Sequence, residues 1–235
     1  MTSKRLLYDS SVAARQPTLV GAAYSAIKDA IRDGFFPPGF QGSELEIAQR
    51  LGMSRTPVHQ AIIQLQAEGM VELRAKRGVV IVALSPDDMR EVYDVIIAVE
   101  GMAAQLIAVM PPSTRERVCA SLDLLNRQLG AALAKDDLLA WADHDGRFHA
   151  ALVAGAGNGR LERIATINID QSYRARRVTL GLRPKPFHSL GEHQAIIDAL
   201  RAGDARRASD AAQAHKVKAR DLIIELLVRH NMRHL

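Results

Sequence analysis

The stretch SELEIAQRLGMSRTPVHQAIIQLQAEG, residues 43–69, decides the predicted fold of the N-terminal part of the chain. Ser43 begins a short helix at the spacing of a capping box, and Gly52 is a natural residue to end it. A second helix follows at once, because Ser54 is a good N-cap and Pro57 falls in the first turn, where a missing N–H costs nothing. Two short helices joined by so tight a turn are typical of a helix-turn-helix.

The sequence on either side of this pair predicts one more helix and a hairpin. Apolar residues recur at helical spacing over residues 19–33, and Gly34 ends that run. Residues 70–73 and 79–82 have the composition of two short strands. Between them, Arg74-Ala75-Lys76-Arg77-Gly78 forms a basic hairpin tip. Together these elements predict a winged helix-turn-helix.

A winged helix-turn-helix points to DNA as the partner, because its second helix lies in the major groove with its first turns at the base edges. Arg55 can donate two hydrogen bonds to guanine, whereas hydroxyls and helix N-terminal amides suit phosphates. Glycine at the hairpin tip would allow a close approach to the nucleic acid. The predicted DNA contacts are Ser54, Arg55, Thr56, His59, Gln60, Lys76, Arg77 and Gly78. The alternative is a small helical cap with an incidental basic turn.

These residues resemble the winged-helix reader of the GntR superfamily of bacterial transcription regulators. The resemblance covers residues 19–84 without a gap and rests on four runs, Phe36–Gly39, Ser43–Ala48, Leu51–Val58 and Leu65–Val71. It implies binding to double-stranded operator DNA. His59 stands where members of the superfamily usually carry a base-reading arginine, so the resemblance also implies an operator that differs from the familiar one.

From Ser85 onward the pattern is helical. Helices are predicted from Ser85 to the prolines at 111–112 and then over residues 113–134, 136–155, 158–181, 190–202 and 204–230. Six helices with short links predict an antiparallel bundle. The predicted fold class is therefore mainly α, a winged helix-turn-helix followed by an all-helical bundle. The predicted domains are a flexible arm over residues 1–16, a DNA-binding domain over 17–84 and the helical domain over 85–231.

Four side chains that can bind metal are predicted to point into this bundle. Asp145 and His149 are four residues apart on one helix, so they share a face. His193 and His215 each begin or continue an apolar stripe on two further helices. Imidazole and carboxylate ligands suit zinc, nickel, manganese or iron, and they leave positions open for a ligand. The alternatives are core histidines bonded to backbone carbonyls and an aspartate in an ion pair with a nearby arginine.

Residues 86–230 resemble the all-helical effector domain of the FadR branch of the superfamily, known as FCD, in its shorter VanR-like form. The resemblance rests on Asp145–His149, Gly157-Asn158, Glu192–Ile196 and Ala214-His215. It implies that Asp145, His149, His193 and His215 hold a divalent cation and that a small organic acid fills the open positions.

Arginines near these ligands are the expected contacts of such an acid. Arg147 and Arg174 are the candidate effector-binding residues, and Arg176 and Arg177 are expected to form a solvated face. Ile96 stands where many relatives have an arginine, so the effector is expected to be recognised differently here.

Composition excludes several other classes of protein. Hydrophobic residues make up 48% and charged residues 24%, as in globular proteins, and the 4% of aromatic residues favours packed helices. The one cysteine excludes a disulfide framework and a cysteine-rich zinc module. A net charge of +5 permits a nucleic-acid partner without demanding one. No membrane segment or signal peptide is visible, so a cytoplasmic location is expected.

The sequence therefore predicts a cytoplasmic, homodimeric, metabolite-responsive transcription regulator. The dimer would bind an inverted repeat, because a two-fold protein reads two-fold DNA. Most relatives are repressors relieved by a ligand, so a repressor is expected. Two other classes stay open. A metal-dependent enzyme could use the Asp/His₃ site, although no HExxH motif is present and Glu192 is expected to point elsewhere. A non-specific nucleoid or RNA-binding protein fits the low aromatic content and mild charge poorly.

Overall fold

The computed structural model describes residues 18–83 and 85–232, and the chain divides into two compact units. Among the described residues, 18–31 and 40–81 form one unit. The other consists of the described residues of 32–39 and of the chain from Val82 onward. The arm predicted over residues 1–16 lies outside the described residues.

The described residues of the first unit form a winged fold with three helices, as predicted, and three strands. Its elements are α1 (Leu19–Arg32), β1 (Gln41–Gly42), α2 (Glu44–Arg50), α3 (Arg55–Ala67), β2 (Val71–Arg74) and β3 (Gly78–Ile81). The sheet is antiparallel in the order β1-β3-β2. The hairpin was predicted, whereas β1 was missed because two residues are too few to show an alternating pattern.

Local chemistry accounts for the two helices of the predicted helix-turn-helix. The Ser43 hydroxyl accepts a hydrogen bond from the Glu46 N–H at 3.0 Å, which caps α2. Ser54 is the N-cap of α3, but its side chain makes no capping bond. Both helices bury apolar side chains, Ile47 in α2 and Ile62 and Leu65 in α3, and Ile27 of α1 and Ile81 of β3 are buried as well.

The second unit contains the six predicted helices. They are α4 (Pro86–Ala108), α5 (Pro112–Ala134), α6 (Leu138–Gly155), α7 (Gly159–Thr179), α8 (His188–Ala202) and α9 (Ala205–Arg229), with a 3₁₀ turn at Leu180–Leu182. A capping box between Ser85 and Asp88 begins α4. None of the helices in the described parts of the chain combines the length and apolarity needed to cross a membrane.

Close packing of α4 on α9 places the site described below. At Gly101 of α4, an added Cβ would lie 2.6 Å from the side-chain nitrogen of Gln213 on α9. A larger residue here would require the Gln213 side chain to move. At this contact between the helices, Glu100 of α4 lies beside Lys216 of α9. The main core, with Trp141, Phe148, Leu152 and Ile196 among its buried residues, also draws on both of these helices, for example through Ala104 of α4 and Ala212 of α9.

Candidate metal centre and nucleic-acid interface

The four predicted ligands meet inside the helical unit. α6 supplies Asp145 and His149, α8 supplies His193, and α9 supplies His215. One ligand atom from each residue lies within 4.8 Å of the other three, and all four residues are buried. The Nε2 atoms of His193 and His149 lie 3.2 and 3.3 Å from the Nε2 atom of His215.

These spacings fit a shared divalent ion. The Asp145 carboxylate oxygens lie 3.7 Å from His149 Nε2 and 3.6 Å from His193 Nε2. Ligand atoms about 2.0–2.2 Å from a common ion in octahedral geometry would lie roughly 3 Å apart where adjacent and roughly 4 Å apart where opposite, with two positions left open. The observed separations, all within 4.8 Å, are near these values, so the donors need only a small movement to share an ion.

Two glutamates orient two of the histidine rings. His149 Nδ1 lies 2.9 Å from Glu100 Oε2, and His215 Nδ1 lies 2.7 Å from Glu192 Oε2. An ionised carboxylate only accepts hydrogen bonds, so each ring donates from Nδ1 and keeps its Nε2 lone pair for the centre. Glu192 was expected to point elsewhere, and its bond to His215 corrects that expectation.

Burial keeps the three imidazoles neutral, which is the form that binds metal. Burial lowers the pKa of His149, and it lowers the pKa of His215 to about 4 although the bond to Glu192 opposes the shift. The pKa of His193 is well below its usual value because of burial and the neighbouring His215 and His149 rings. The His193 ring stacks on Phe148 with centroids 4.0 Å apart, which fixes its plane.

Behind His149, Glu100 and Lys216 form a buried ion pair. Lys216 Nζ lies 3.3 Å from Glu100 Oε1, and the two side chains are 4% and 1% exposed. Burial alone would raise the pKa of Glu100, but His149 and Lys216 outweigh it and lower that pKa to about 2. The carboxylate that orients His149 is therefore ionised, which sequence reasoning did not foresee, since it depends on the register of α4 against α9.

The arginines are arranged differently from the prediction. Arg176, expected in a solvated face, is 4% exposed and donates to the Asp145 carboxylate. The ion pair between Asp145 and a nearby arginine, one of the open alternatives, is therefore present alongside the ligand cluster. Arg147 is exposed and lines a separate depression with Asp143, and Arg174 donates to the Val82 carbonyl at 2.8 Å. Neither predicted effector arginine is among the residues that line the small cavity beside the four ligands.

A small cavity of about 40 Å³ opens beside the four donors. It is bordered by Asp145 and His215 of the ligand set and by Arg176, Arg183, Trp141 and Lys216. The cationic groups on its wall are suited to an anionic ligand. The residues that contact such a ligand were not identifiable from helical periodicity, because Arg183 follows the 3₁₀ turn rather than lying on a helix face.

The predicted DNA-contacting side chains are exposed in the winged unit. Ser54, Arg55, Thr56, His59 and Gln60 lie at the start of α3, and Lys76 and Arg77 lie at the hairpin tip.

Glu44 of α2 contacts two of the α3 side chains. Its carboxylate oxygens lie 2.7 Å from His59 Nδ1 and 3.7 Å from Arg55 Nε. This contact was not predictable from the sequence, because it depends on the angle between α2 and α3.

Gly78 has a structural role that the prediction missed. Its φ is +73°, and an added Cβ would lie 2.6 Å from the Gly42 carbonyl oxygen. Within the sheet, this glycine permits the close approach of β1, and its contact with nucleic acid stays a prediction. The wing requires glycine here because of both the φ and the approach of β1.

Two family models match the chain in the same order as the two units. The model described as "Bacterial regulatory proteins, gntR family" matches residues 19–81. The model described as "FCD domain" matches residues 91–217, which is more than half of the chain. The chain belongs to the GntR family and carries an FCD domain. It is therefore a DNA-binding transcription regulator with an effector-binding domain, as the sequence predicted.

Relatives of this GntR regulator extend over most of its length. An uncharacterised HTH-type transcriptional regulator in the TAR-I ttuE-ttuC' intergenic region of Agrobacterium vitis is 50% identical over 137 residues, 58% of this chain and 80% of that protein. A probable D-xylose utilization operon transcriptional repressor of Paenarthrobacter nicotinovorans is 29% identical over 221 residues, 91% of this chain and 89% of that protein. These relatives are regulators, so the GntR protein is not an enzyme and the metalloenzyme alternative is set aside.

Two solved structures share the fold. Escherichia coli McbR/YncC superimposes with a TM-score of 0.75 at 17% identity, covering 89% of this chain and 99% of that one. A GntR regulator from Rhodococcus sp. RHA1 gives a TM-score of 0.70 at 24% identity, covering 88% and 97%. At these identities the likeness shows the fold alone.

Proposed function

We propose that this GntR regulator binds one divalent metal ion through Asp145, His149, His193 and His215, and that a small carboxylate effector completes the coordination. The observation that carries the proposal is the convergence of four buried ligand atoms within 4.8 Å of one another. Zinc, nickel, manganese and iron all accept imidazole and carboxylate ligands.

The surroundings of the four ligands support a ligand-binding role rather than a purely structural one. His149 and His215 are oriented by carboxylates on their outer nitrogens, an arrangement that raises the basicity of a metal-binding imidazole. The cavity beside them would give a carboxylate access to the metal ion, and Arg176 and Lys216 border this cavity. An acid bound there would contact α4, α6, α8 and α9 through the ligands and their partners.

We further propose that two copies of the chain bind an inverted repeat of double-stranded DNA in the bacterial cytoplasm. The reading residues are those exposed at the start of α3 and at the hairpin tip, and the helical domain would supply the dimer contact. A repressor role is supported by relatives, since the Paenarthrobacter protein is named a probable repressor. Effector binding changes operator affinity by its preference for one arrangement of the dimer.

Metal content of the purified protein tests the ligand set. Wild type and His193→Ala, purified without chelator, are compared by elemental mass spectrometry. His144→Ala is the matched control, because His144 lies on α6 beside Asp145 but is not among the four ligands. We expect one metal ion per chain in wild type and the control and a loss in His193→Ala. Unchanged metal content in His193→Ala would show that the ligand assignment is wrong.

Operator binding tests the other half of the proposal. Arg55→Ala should weaken binding to the operator more than to random DNA while leaving metal content unchanged, because Arg55 is exposed at the start of α3. In wild type, an added acid that binds the metal centre should change operator affinity, and chelation should abolish that change. An effect of the acid on operator affinity that persists after metal removal would contradict the proposal that the acid acts through the metal ion.

A further inference from the structure

Arg183 and Trp141 border the cavity beside the four ligands. The proposed metal site gives neither residue a role. The guanidinium of Arg183 lies over the indole ring of Trp141, with its Cζ 4.6 Å from the ring centroid. Burial lowers the pKa of Arg183 to about 10, and the positive charge of Arg176 adds to the shift. A cation placed near another cation and away from water favours a nearby negative charge.

Both side chains carry a hydrogen-bond donor without an acceptor. Within the described part of the chain, neither Arg183 Nε nor Trp141 Nε1 has a hydrogen-bond partner, although both atoms are buried. Arg183 also forms no ion pair with any carboxylate of the described residues. Buried donors are nearly always satisfied in proteins, so two of them on one cavity indicate a missing acceptor.

The balance of charge around the cavity also indicates an anion. Lys216 is paired with Glu100, and Lys218 is paired with Glu192 at 2.8 Å. The charges left over are two guanidiniums, Arg176 and Arg183, against the single carboxylate of Asp145. That leaves an excess of one positive charge, which a divalent metal would raise to three. One carboxylate from an effector would still leave two unbalanced positive charges, a costly state in a buried site.

We propose that Arg183 and Trp141 form a second anion subsite, and that the effector is a small dicarboxylate. This inference rests on the proposed metal centre, where one carboxylate binds. The second carboxylate accepts hydrogen bonds from Arg183 Nε and Trp141 Nε1 at the other side of the cavity. The small size of the cavity favours a compact acid.

Matched pairs of acids test the second subsite on the metal-loaded full chain. Succinate, malate and glutarate are compared with butyrate, 2-hydroxybutyrate and valerate, which keep the chain length and lack the second carboxylate. Titration calorimetry gives the affinities. We expect at least one dicarboxylate to bind about tenfold or more tightly than its partner, because charged hydrogen bonds from arginine are strong.

Trp141 also supplies a direct signal, since it is the only tryptophan in the chain. A dicarboxylate that binds Arg183 and shifts its guanidinium relative to the Trp141 ring should change the indole fluorescence. The matched monocarboxylate should change it much less. Arg183→Gln should remove both the fluorescence response and the preference, with monocarboxylate affinity and metal content unchanged. Arg183→Lys should keep part of the preference. Arg147→Gln, an exposed arginine away from the cavity, is the control and should behave as wild type.

The possible results distinguish a failure of this inference from a failure of the proposed function. Equal affinity for both members of every pair in wild type overturns the second subsite and leaves the metal centre intact. A preference that survives in Arg183→Gln also overturns it. Tight binding of phosphoglycolate with no binding of dicarboxylates overturns the assignment of the effector as a dicarboxylate. Absence of metal from wild type overturns the proposed function itself, and this inference with it.

Discussion

Lys216 holds a positive charge inside the helical unit, and Lys216→Met tests how that charge is balanced. Lys216 Nζ lies 3.3 Å from Glu100 Oε1, with both side chains almost fully buried. The substitution leaves the ionised Glu100 carboxylate buried with His149 as its remaining partner. We expect a large loss of stability, because the charge that balanced this carboxylate is gone.

The expected magnitude follows from the geometry. Removing one member of a buried ion pair costs roughly 3–5 kcal/mol, and the bond kept with His149 places the cost near the lower end. A loss of 3 kcal/mol in a domain of this size corresponds to a fall in Tm of about 10 °C.

The Glu100–Lys216 ion pair as a whole contributes much less to stability than the loss expected for Lys216→Met. Burial lowers the pKa of Lys216 to about 8 despite the attraction of Glu100, so the ammonium itself is disfavoured there. Removing both charges should therefore be nearly neutral. We expect Glu100→Gln/Lys216→Met to lie within about 1 kcal/mol of wild type.

Thermal and urea unfolding of metal-free protein measure these differences. Metal must be removed because a ligand that binds the folded state adds stability of its own. Lys218→Met is the matched control on the same helix, since Lys218 is 64% exposed and pairs with Glu192 at the surface. An exposed pair of this kind contributes less than about 1 kcal/mol. The reasoning is refuted if Lys216→Met loses no more stability than Lys218→Met, or if the double variant loses the sum of its two single losses.

Two further predictions concern the winged unit. Gly78→Ala should destabilise that unit by about 2 kcal/mol or more in thermal unfolding, because alanine disfavours a φ of +73° and its Cβ would meet the Gly42 carbonyl. Gly52→Ala, with a φ of +65° and no atom within 4 Å of the added Cβ, should lose less, and an equal loss would contradict the role of the contact. Glu44→Gln should weaken operator binding several-fold in a mobility-shift assay, since the amide holds His59 and Arg55 less firmly than the carboxylate. Glu46→Gln on the same helix is its control, and equal effects of the two would show that Glu44 does not orient the reading residues.

The sequence predicted most of the fold because local chemistry marks where the helices begin and end. Ser85 and Asp88 form the capping box that begins α4, and Gly203 ends α8 with a φ of +73°. The convergence of the four candidate ligands was predictable for a related reason, since each lies on the apolar face of its helix. Helical periodicity is a property of one helix and is visible in one sequence.

Contacts that depend on how helices pack against each other were not predictable in this way. Arg176 lies in a basic run and was expected in solvent, but its helix faces Asp145, which keeps the guanidinium buried. The partners of His149 and His215, Glu100 and Glu192, depend in the same way on the register between helices. A single sequence carries no signal for such registers, so the surroundings of the site were harder to predict than its ligands.

The charges at the proposed metal centre suit a sensor better than a structural metal site. Asp145 has Arg176 as a cationic partner, and burial keeps the pKa of His193 and His215 low enough for both rings to be neutral. The helical unit therefore does not depend on a metal ion to balance its buried charges. A metal that took over Asp145 would free Arg176 to bind an anion beside it. Metal binding at the proposed centre would thus add the metal ion and a freed Arg176 to the positive charge of Arg183, so the response to an acidic effector should require the metal while the fold does not.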